Sequence, residues 1–301
     1  MSKGIWKKGH RYKIFIYIGL GMSCLIFVLP LLLVVSISLS HETAIIGSGY
    51  SLFPRDFSLE AYKAVFADAS QIIYSYQVTI LQSILGTVLS LAVAGMAAYA
   101  LSRTNFAYRK VISFVIFFTM LFGGGTISNY IIYTRYYGLY DSFWIYILPG
   151  ITGGAWNTMM IRTFFMGLPE SLFESARIDG AKELKIFAKI ALPLSKPVFA
   201  TVGFMTLVNK WNDWTTSMIY VRNNRLFTLQ YLLQKILNEA EFLKQMRETN
   251  PAIVDLLEEG TAPLATLKYA MCVVAAGPML MIFPLFQKYF EKGTVVGSVK
   301  G

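Results

Sequence analysis

Six apolar runs, each long enough to cross a bilayer, constrain this 301-residue chain more than any other feature of its sequence. A membrane-spanning helix requires about 20 mostly apolar residues, and soluble domains seldom contain several such runs. The composition agrees, because 55% of the residues are hydrophobic and only 15% are charged, whereas soluble proteins carry about 25% charged residues. The sequence therefore predicts one all-α membrane domain over residues 1–301, with spans at 14–39, 75–101, 111–132, 143–165, 198–221 and 264–286.

Proline and glycine mark where these spans should bend. Pro30 lies inside the first run, and Pro278 and Pro284 lie inside the last. Membrane helices tolerate such kinks where neighbouring groups satisfy the freed carbonyls. Three successive glycines at 123–125 should break the third span at its outer end. The first run resembles the apolar part of a signal peptide, but it is too long and no cleavage pattern follows, so we expect an uncleaved span.

Basic residues are unevenly distributed between the loops. Seventeen of the 27 Lys and Arg residues flank one side of the predicted spans, and eight flank the other. Because cytoplasmic loops are enriched in Lys and Arg, we expect both termini and the segment 169–193 in the cytoplasm and the segment 222–263 outside. The net charge of +10 is then a consequence of membrane topology, and we expect membrane lipid rather than nucleic acid as a partner.

The outside segments carry patterns of their own. Ser58 should cap a short helix that runs to Phe66. The tyrosine-rich segment 123–141 fits both an aromatic belt at the headgroups and the lining of a solute entrance. Between 226 and 243 leucines recur at helical spacing, which predicts a helix that either docks another protein or lies on the bilayer surface.

The segment 169–193 is a polar interruption between the fourth and fifth predicted spans. Pro169 suits the start of a helix, Gly180 suits the left-handed residue that ends one, and Pro193 cannot continue one. We therefore expect two short helices, at 171–178 and 181–191. By composition alone, the first fits an ordinary amphipathic helix at the membrane surface.

A longer pattern in this segment is more specific. Starting at Glu174 it reads E-S-A-x3-G-x9-I-x-L-P. This resembles the EAA loop of ABC-importer permease subunits, E-A-A-x3-G-x9-I-x-L-P, with Ser175 in place of an alanine. The resemblance implies a short coupling helix seated in a cleft of a separate ATPase subunit. The residues assigned to this coupling are Leu172, Phe173, Glu174, Ser175, Ala176, Arg177, Asp179 and Gly180.

The resemblance also implies individual roles. Glu174 would make a charged contact to the ATPase, Ala176 would allow close approach on the helix face that it shares with Leu172 and Phe173, and Gly180 would permit the turn. The sequence contains no Walker-type loop. We therefore expect no cofactor in this chain, and the resemblance implies that partner ATPase subunits bind ATP and Mg.

Three further segments look like the carbohydrate-importing branch of this family, which includes the maltose and alginate permeases and permeases for complex oligosaccharides. They are W-N-D-W at 211–214, L-F-T-L-Q at 226–230 and the tail from 287. The resemblance implies a type I ABC importer permease fold with six transmembrane helices in the cytoplasmic membrane of a prokaryote. It also implies four partners: a homologous second permease subunit, an ATPase dimer, an extracytoplasmic solute-binding protein and an oligosaccharide substrate.

Polar groups inside the predicted spans identify a candidate site for the solute. Charged side chains are costly in a bilayer and are often functional there, although Lys210 and Asp213, three residues apart, fit a local ion pair equally well. Amides offer donors and acceptors for sugar hydroxyls, and indoles offer flat apolar faces for sugar C–H groups. The predicted substrate-binding residues are Asn157, Asn209, Lys210, Trp211, Asn212, Asp213 and Trp214.

Other functions make different demands on the sequence. A membrane-embedded enzyme requires converging acid–base or metal-binding groups. The two histidines, His10 and His41, lie outside the predicted spans, so we expect neither a catalytic nor a metal site. The main alternative is a permease of the same architecture for an amino acid, a peptide or a metal ion, although metal transport requires a cluster of His, Cys or carboxylate ligands. A channel without an energy source would have no use for a coupling loop.

Overall fold

The structure, a computed structural model, describes residues 3–249 and 264–298. In these ranges the regular secondary structure is helical apart from an isolated antiparallel bridge between Ser40 and Phe57, which confirms the predicted all-α class. The chain divides into two compact units. One comprises Met1–Ala69 and Leu233–Ala276, and the other comprises Ser70–Leu232 and Gly277–Gly301.

The α-helices follow one another with short breaks. They are α1 (Lys3–Ser38), α2 (Glu42–Ser48), α3 (Glu60–Val65), α4 (Ala69–Ser102), α5 (Arg109–Leu121), α6 (Gly125–Ile131), α7 (Gly154–Met166), α8 (Glu170–Ile178), α9 (Glu183–Ile186), α10 (Leu192–Leu194), α11 (Lys196–Trp211), α12 (Thr215–Tyr220), α13 (Leu229–Thr249) and α14 (Leu264–Ser298). Single 3-10 turns occupy Phe143–Tyr146, Leu148–Gly150 and Asn224–Leu226, and π-helical turns occupy Ile132–Tyr136 and Phe187–Ala191.

Within residues 3–249 and 264–298, three continuous helices are long and apolar enough to cross a membrane. They are Phe15–Ser38 within α1, Ala69–Ser102, and Ala265–Gln287 within α14. These match the first, second and sixth predicted spans. The prolines in α1 and α14 lie inside the helices without ending them, as membrane helices allow.

Two further helix pairs reach the required length and hydropathy only when each is taken as one bent span. Arg109–Leu121 and Gly125–Tyr136 meet at 112°, and Glu183–Leu194 and Lys196–Trp211 meet at 81°. The first bend falls at the glycines where the sequence predicted a break. Gly125 has a φ of +77°, a left-handed conformation that glycine adopts readily.

The predicted fourth and fifth spans are not continuous helices. Residues 143–165 form two 3-10 turns before α7 begins at Gly154. Pro149 lacks a backbone donor, and Gly153 has a φ of +74°, which interrupts the helical ladder. The predicted span 198–221 is divided in the same way, because α11 ends at Trp211 and α12 starts at Thr215.

Close contacts between α4 and α11 organise the second unit. At Gly95 of α4 an added Cβ would lie 2.7 Å from the Phe199 ring, and at Gly203 of α11 it would lie 3.0 Å from Leu91. Each of these side chains therefore occupies the space that a Cβ would take on the facing helix. A buried apolar core forms beside them, built from residues of α4, α7, α8, α9 and α11.

The other sequence predictions concern the first unit and the loops. Ser58 Oγ accepts a hydrogen bond from the Glu60 N–H at 3.2 Å, but Leu59 occupies the cap position of α3, so Ser58 lies one residue before the cap that the sequence predicted. The Glu42 carboxylate accepts hydrogen bonds from the N–H groups of Ala265 and Thr266, at 3.1 and 3.2 Å, and so caps α14. The leucine-rich segment is helical as predicted, in α13. Residues 250–263 of the predicted outside loop, and the last three residues of the tail, lie outside the described residues.

Candidate functional site

A cavity of about 590 Å³ lies in the second unit, where the two interrupted spans meet α4. Both interruptions contribute to its wall, the first through its glycines and the second through the turn after α11. Irregular backbone at membrane depth is tolerated where it lines a cavity. The lining residues are Ser90, Gly150, Gly153, Gly154, Asn157, Thr206, Asn209, Lys210, Asn212, Asp213, Trp214 and Thr215.

The cavity brings together all but one of the predicted substrate-binding residues. Trp211 is the exception, because it is 3% exposed and is not part of the lining. The reason is the end of α11 at Trp211. The turn that follows leaves Trp211 packed inside the protein and places Trp214 at the cavity wall. The expectation that Trp211 faces the solute is therefore corrected.

Lys210 follows a path that requires a glycine on the neighbouring helix. A Cβ at Gly86 of α4 would lie 2.7 Å from the Lys210 ammonium nitrogen. The Nζ donates a hydrogen bond of 2.9 Å to the carbonyl oxygen of Tyr146, in the first 3-10 turn. The Gln82 amide donates to the carbonyl oxygen of Lys210 at 2.7 Å. Because an ammonium has three N–H donors, a solute in the cavity can accept from it as well.

Asp213 acts as a cap for α12 rather than as the partner of Lys210. Its carboxylate accepts hydrogen bonds from the Thr216 N–H at 3.1 Å and from the hydroxyls of Thr215 and Thr216 at 3.1 and 2.6 Å. Among the ion pairs of the described residues, none joins Asp213 to Lys210. The local ion pair that the spacing allowed is therefore absent, and the ammonium is not neutralised by a direct contact.

The remaining wall offers amides and one indole. The Asn157 amide donates to the Thr206 hydroxyl at 3.1 Å, and the Asn212 amide donates to the Val208 carbonyl at 2.9 Å. Each asparagine thereby keeps its carbonyl oxygen for another donor. Trp214 is half-buried at the wall. Amides, an ammonium and an indole together can bind hydroxyls, an anionic group and an apolar sugar face.

A buried hydrogen-bond network supports this wall. The Tyr146 hydroxyl shares a 2.7 Å hydrogen bond with Ser217 and donates to the Leu226 carbonyl at 2.8 Å. Thr228 shares a 3.0 Å hydrogen bond with Ser217 and donates to the Asp213 carbonyl at 2.9 Å. The sequence pattern at 226–230 is thus explained by packing beneath the cavity wall. These contacts could not be predicted from the sequence, because only the fold brings Tyr146 and Thr228 together at Ser217.

The described parts of the chain contain no candidate metal site. Across residues 3–249 and 264–298, no three His, Cys, Asp or Glu residues come together in a way that could hold a metal ion.

The predicted pair of short helices in the segment 169–193 is present. Gly180 has a φ of +75° and lies between α8 and α9, as the left-handed turn requires. The second helix is shorter than predicted, because α9 ends at Ile186 and a π-helical turn follows. The turn at Gly180 was therefore predictable, whereas Pro193, which was expected to end the second helix, lies inside α10 because a proline in a first helical turn costs no backbone hydrogen bond.

Two residues assigned to the coupling contact lie in the protein's own core. Phe173 is 0% exposed and Ala176 is 9% exposed, and both belong to the core formed with α4 and α7. Their face of α8 is therefore turned inward, which corrects the expectation that they contact a partner. Helical spacing alone could not show which apolar face of α8 is buried. The contact that covers Phe173 comes from far along the chain, because the Arg103 guanidinium lies 3.9 Å over the Phe173 ring.

Other positions of α8 and the start of α9 expose apolar side chains. Leu172 is 42% exposed, Ile178 is 86% exposed and Leu184 is 70% exposed. Glu174 is exposed as well, and its side chain makes no ion pair with a described residue. Ser175, Asp179 and Gly180 are exposed on the same segment, whereas Arg177 is half-buried and its pKa is raised by a hydrogen bond to Glu183.

Comparisons with known proteins agree with these features. The sequence profile of the family described as "Binding-protein-dependent transport system inner membrane component" matches residues 90–296. The polygalacturonan/rhamnogalacturonan transport system permease protein YtcP of Bacillus subtilis is 36% identical over 298 residues, which cover 98% of this chain and 100% of that protein. The arabinooligosaccharides transport system permease protein AraQ of the same species is 29% identical, with 96% of each chain covered.

A solved structure is similar over nearly the whole chain. It belongs to a bacterial ABC transporter involved in the import of the acidic polysaccharide alginate. The TM-score is 0.77 at 30% sequence identity, and the match covers 94% of this chain and 98% of that one. The relatives are transport permeases rather than enzymes. From these matches, the chain belongs to the family of binding-protein-dependent transport system inner membrane components, and its relatives are sugar permeases of ABC importers.

Proposed function

We propose that this chain is the permease subunit of an ATP-driven importer of oligosaccharides and that its cavity forms one wall of the solute pathway. The observation that carries the proposal is the cavity itself. Its wall combines amides, an ammonium and an indole at the point where two spans are interrupted. Interrupted helices that line a cavity are typical of solute sites in membrane transporters.

We propose that the solutes are acidic oligosaccharides that contain uronate residues. The Lys210 ammonium lines the cavity and has no direct carboxylate partner in the described chain, whereas the Asp213 oxygens are occupied by threonines. A solute carboxylate would complete the ammonium's hydrogen bonds. The names of two similar proteins refer to polygalacturonan and to the acidic polysaccharide alginate, which supports this class.

The energy source we propose is ATP hydrolysis by a partner ATPase dimer that contacts the exposed face of α8. The support is the sequence pattern of the loop together with the exposure of Leu172, Ile178 and Leu184 and of Glu174, which forms no ion pair with a described residue. Exposed apolar side chains surrounded by polar residues are typical of protein interfaces. Partner subunits would then bind ATP and Mg, and a homologous second permease and a solute-binding protein would complete the transporter.

The topology that we propose has six crossings of a prokaryotic cytoplasmic membrane, with both termini in the cytoplasm. The distribution of Lys and Arg supports the orientation. The sixth crossing consists of residues 143–166, as two 3-10 turns followed by α7. We assign the others to the three continuous helices, to the bent pair of Arg109–Leu121 and Gly125–Tyr136, and to α11 with α12.

A matched pair of tryptophan substitutions tests the proposed function. Trp214 lines the cavity, whereas Trp156 is 47% exposed and is not part of the lining. We expect Trp214→Ala to reduce ATP-driven uptake of a labelled oligogalacturonide up to about tenfold, because a stacked aromatic contributes about 0.5–1.5 kcal/mol beyond its buried area. Trp156→Ala should leave uptake unchanged, and both variants should retain the ATPase. Equal uptake by the two variants would exclude Trp214 from the pathway.

A further inference from the structure

Five side chains between α4 and the coupling loop form a set of contacts that closes where the Arg103 guanidinium lies 5.1 Å over the Tyr99 ring. We name this set the arginine–glutamate ring: Tyr99, Arg103, Glu170, Arg177 and Glu183. The Tyr99 hydroxyl donates to Glu183 Oε2 at 2.7 Å, and Arg177 Nε donates to Glu183 Oε1 at 2.9 Å. Arg177 Nη1 donates to Glu170 Oε1 at 3.3 Å, and Arg103 Nη1 donates to Glu170 Oε2 at 3.1 Å. Each carboxylate thus joins two different side chains through its two oxygens.

Arg103 is buried, and every nitrogen of its guanidinium has a partner. The residue is 4% exposed, and its Nε and Nη2 donate to the Ser102 hydroxyl at 3.1 Å and to the Phe165 carbonyl at 3.3 Å. The Phe173 ring of α8 lies 3.9 Å from the guanidinium carbon. A buried guanidinium with this number of fixed partners specifies how those partners are oriented relative to one another, because only the planar fork of arginine can reach all of them.

The ring joins α8 to the cavity by a second route. The covalent route from α8 passes through α9, a π-helical turn and an 81° bend before it reaches α11. The ring instead connects α8 and α9 to Tyr99 on α4, an unbroken helix of 34 residues. Ser90 of the same helix lines the cavity, nine residues or about 13 Å from Tyr99 by the standard helical rise.

We propose that the arginine–glutamate ring transmits displacement of α8 to α4 and hence to the cavity, so that Tyr99, Arg103 and Glu183 are positioning residues for the coupling of ATP hydrolysis to transport. This proposal rests on the proposed function, since a partner ATPase must move α8. Without the ring, α8 would be held to α4 only by apolar contacts such as that of Phe173, which can slide, and by the bent covalent route. The ring makes α8, the start of α9 and the end of α4 one mechanical element.

The experiment measures solute imported per ATP hydrolysed by the complete transporter in proteoliposomes, with its partner permease, ATPase and binding protein. Tyr99→Phe removes one hydroxyl but keeps the aromatic ring, which packs against Phe165 and Phe187 with centroid distances of 5.9 and 5.4 Å. We therefore expect the fold to be retained. Glu183→Gln removes the charge at the other end of that hydrogen bond. Tyr108→Phe, at an exposed residue outside the ring, is the matched control.

We expect Tyr99→Phe and Glu183→Gln each to lower the ratio of solute to ATP at least about tenfold, as the loss of a hydrogen bond to a charged group predicts. The double variant should be no worse than the worse single variant, because both act through one contact. ATPase co-purification and the Tyr108→Phe ratio should equal those of the wild type.

Three results would overturn the proposal while leaving the proposed function intact. One is a wild-type ratio in both single variants. Another is an additive loss in the double variant, and the third is a failure of Tyr99→Phe to assemble, which would make the contact structural. Absence of ATP-driven uptake in the wild-type complex would instead overturn the proposed function.

Discussion

Substitution of Gly86 by alanine tests whether the Lys210 ammonium recognises the solute, because it moves that group without changing its charge. An alanine Cβ would lie 2.7 Å from the lysine Cδ and Nζ, whereas ordinary contacts begin at 3.4 Å. The side chain must therefore shift by about 0.7 Å or more. This displacement stretches or breaks the 2.9 Å hydrogen bond to Tyr146. The α4 backbone should tolerate the change, since alanine is the best helix former.

The expected effect follows from the loss of one hydrogen bond to a charged group. Such a bond contributes about 1.5–3 kcal/mol, and each 1.4 kcal/mol corresponds to about tenfold in affinity. In reconstituted transporters we expect Gly86→Ala to lower the preference for trigalacturonate over its uncharged methyl ester about tenfold, measured as a ratio of uptake rates at limiting solute. Gly21→Ala, where an added Cβ meets nothing within 4 Å, is the control. An unchanged preference, or an equal loss for both solutes, would refute recognition by Lys210.

The remaining predictions concern stability and the loop turn. Gly153→Ala should destabilise the purified protein more than Gly154→Ala in a thermal melt. Both glycines have a φ near +74°, but only at Gly153 would the Cβ lie 2.8 Å from a carbonyl oxygen of α4. Equal melting temperatures of the two variants would contradict this. Thr228→Val should cost about 1–3 kcal/mol of stability by leaving buried partners unpaired, whereas the exposed Thr104→Val should have no measurable effect. Gly180→Ala should introduce about 1–2 kcal/mol of backbone strain and lower ATPase co-purification, and full retention of the ATPase would show that the turn is not required.

The sequence was informative wherever one residue type determines the local backbone. Long apolar runs predicted α1, α4 and α14, because a bilayer leaves the helix as the simplest way to satisfy the backbone. Gly180 predicted the turn in the coupling loop, because glycine adopts the left-handed conformation without strain. The cavity residues were found for a related reason: charges and amides inside apolar runs have few structural uses.

The sequence failed where hydropathy is the same for two different backbones. The hydropathy of residues 143–165 fits a continuous helix and a pair of 3-10 turns equally well, so it could not locate the interruption. Trp211 and Trp214 were treated as equivalent for the same reason, although the end of α11 separates a buried indole from one at the cavity wall. An apolar helix face fits both a partner interface and the protein's own core. Phe173 was predicted to contact a partner because helical spacing cannot distinguish these two.

Long-range polar contacts were the other gap. Arg103 was counted only as a basic residue that marks membrane orientation. Its partners lie 62 and 67 residues away, at Phe165 and Glu170. No local spacing rule connects positions so far apart in sequence, and only the packing of α4 against α7 and α8 shows the contact.

The most direct test of the central claim is uptake of labelled oligogalacturonide by proteoliposomes that contain the complete transporter, with and without ATP, for the wild type and for Ile178→Asp. Ile178 is 86% exposed on α8, so a carboxylate there should not affect folding but should destabilise an apolar interface with the ATPase. We expect uptake that requires ATP in the wild type and is lost in Ile178→Asp together with ATPase co-purification. Uptake that proceeds without ATP, or full ATP-driven uptake by Ile178→Asp, would contradict it.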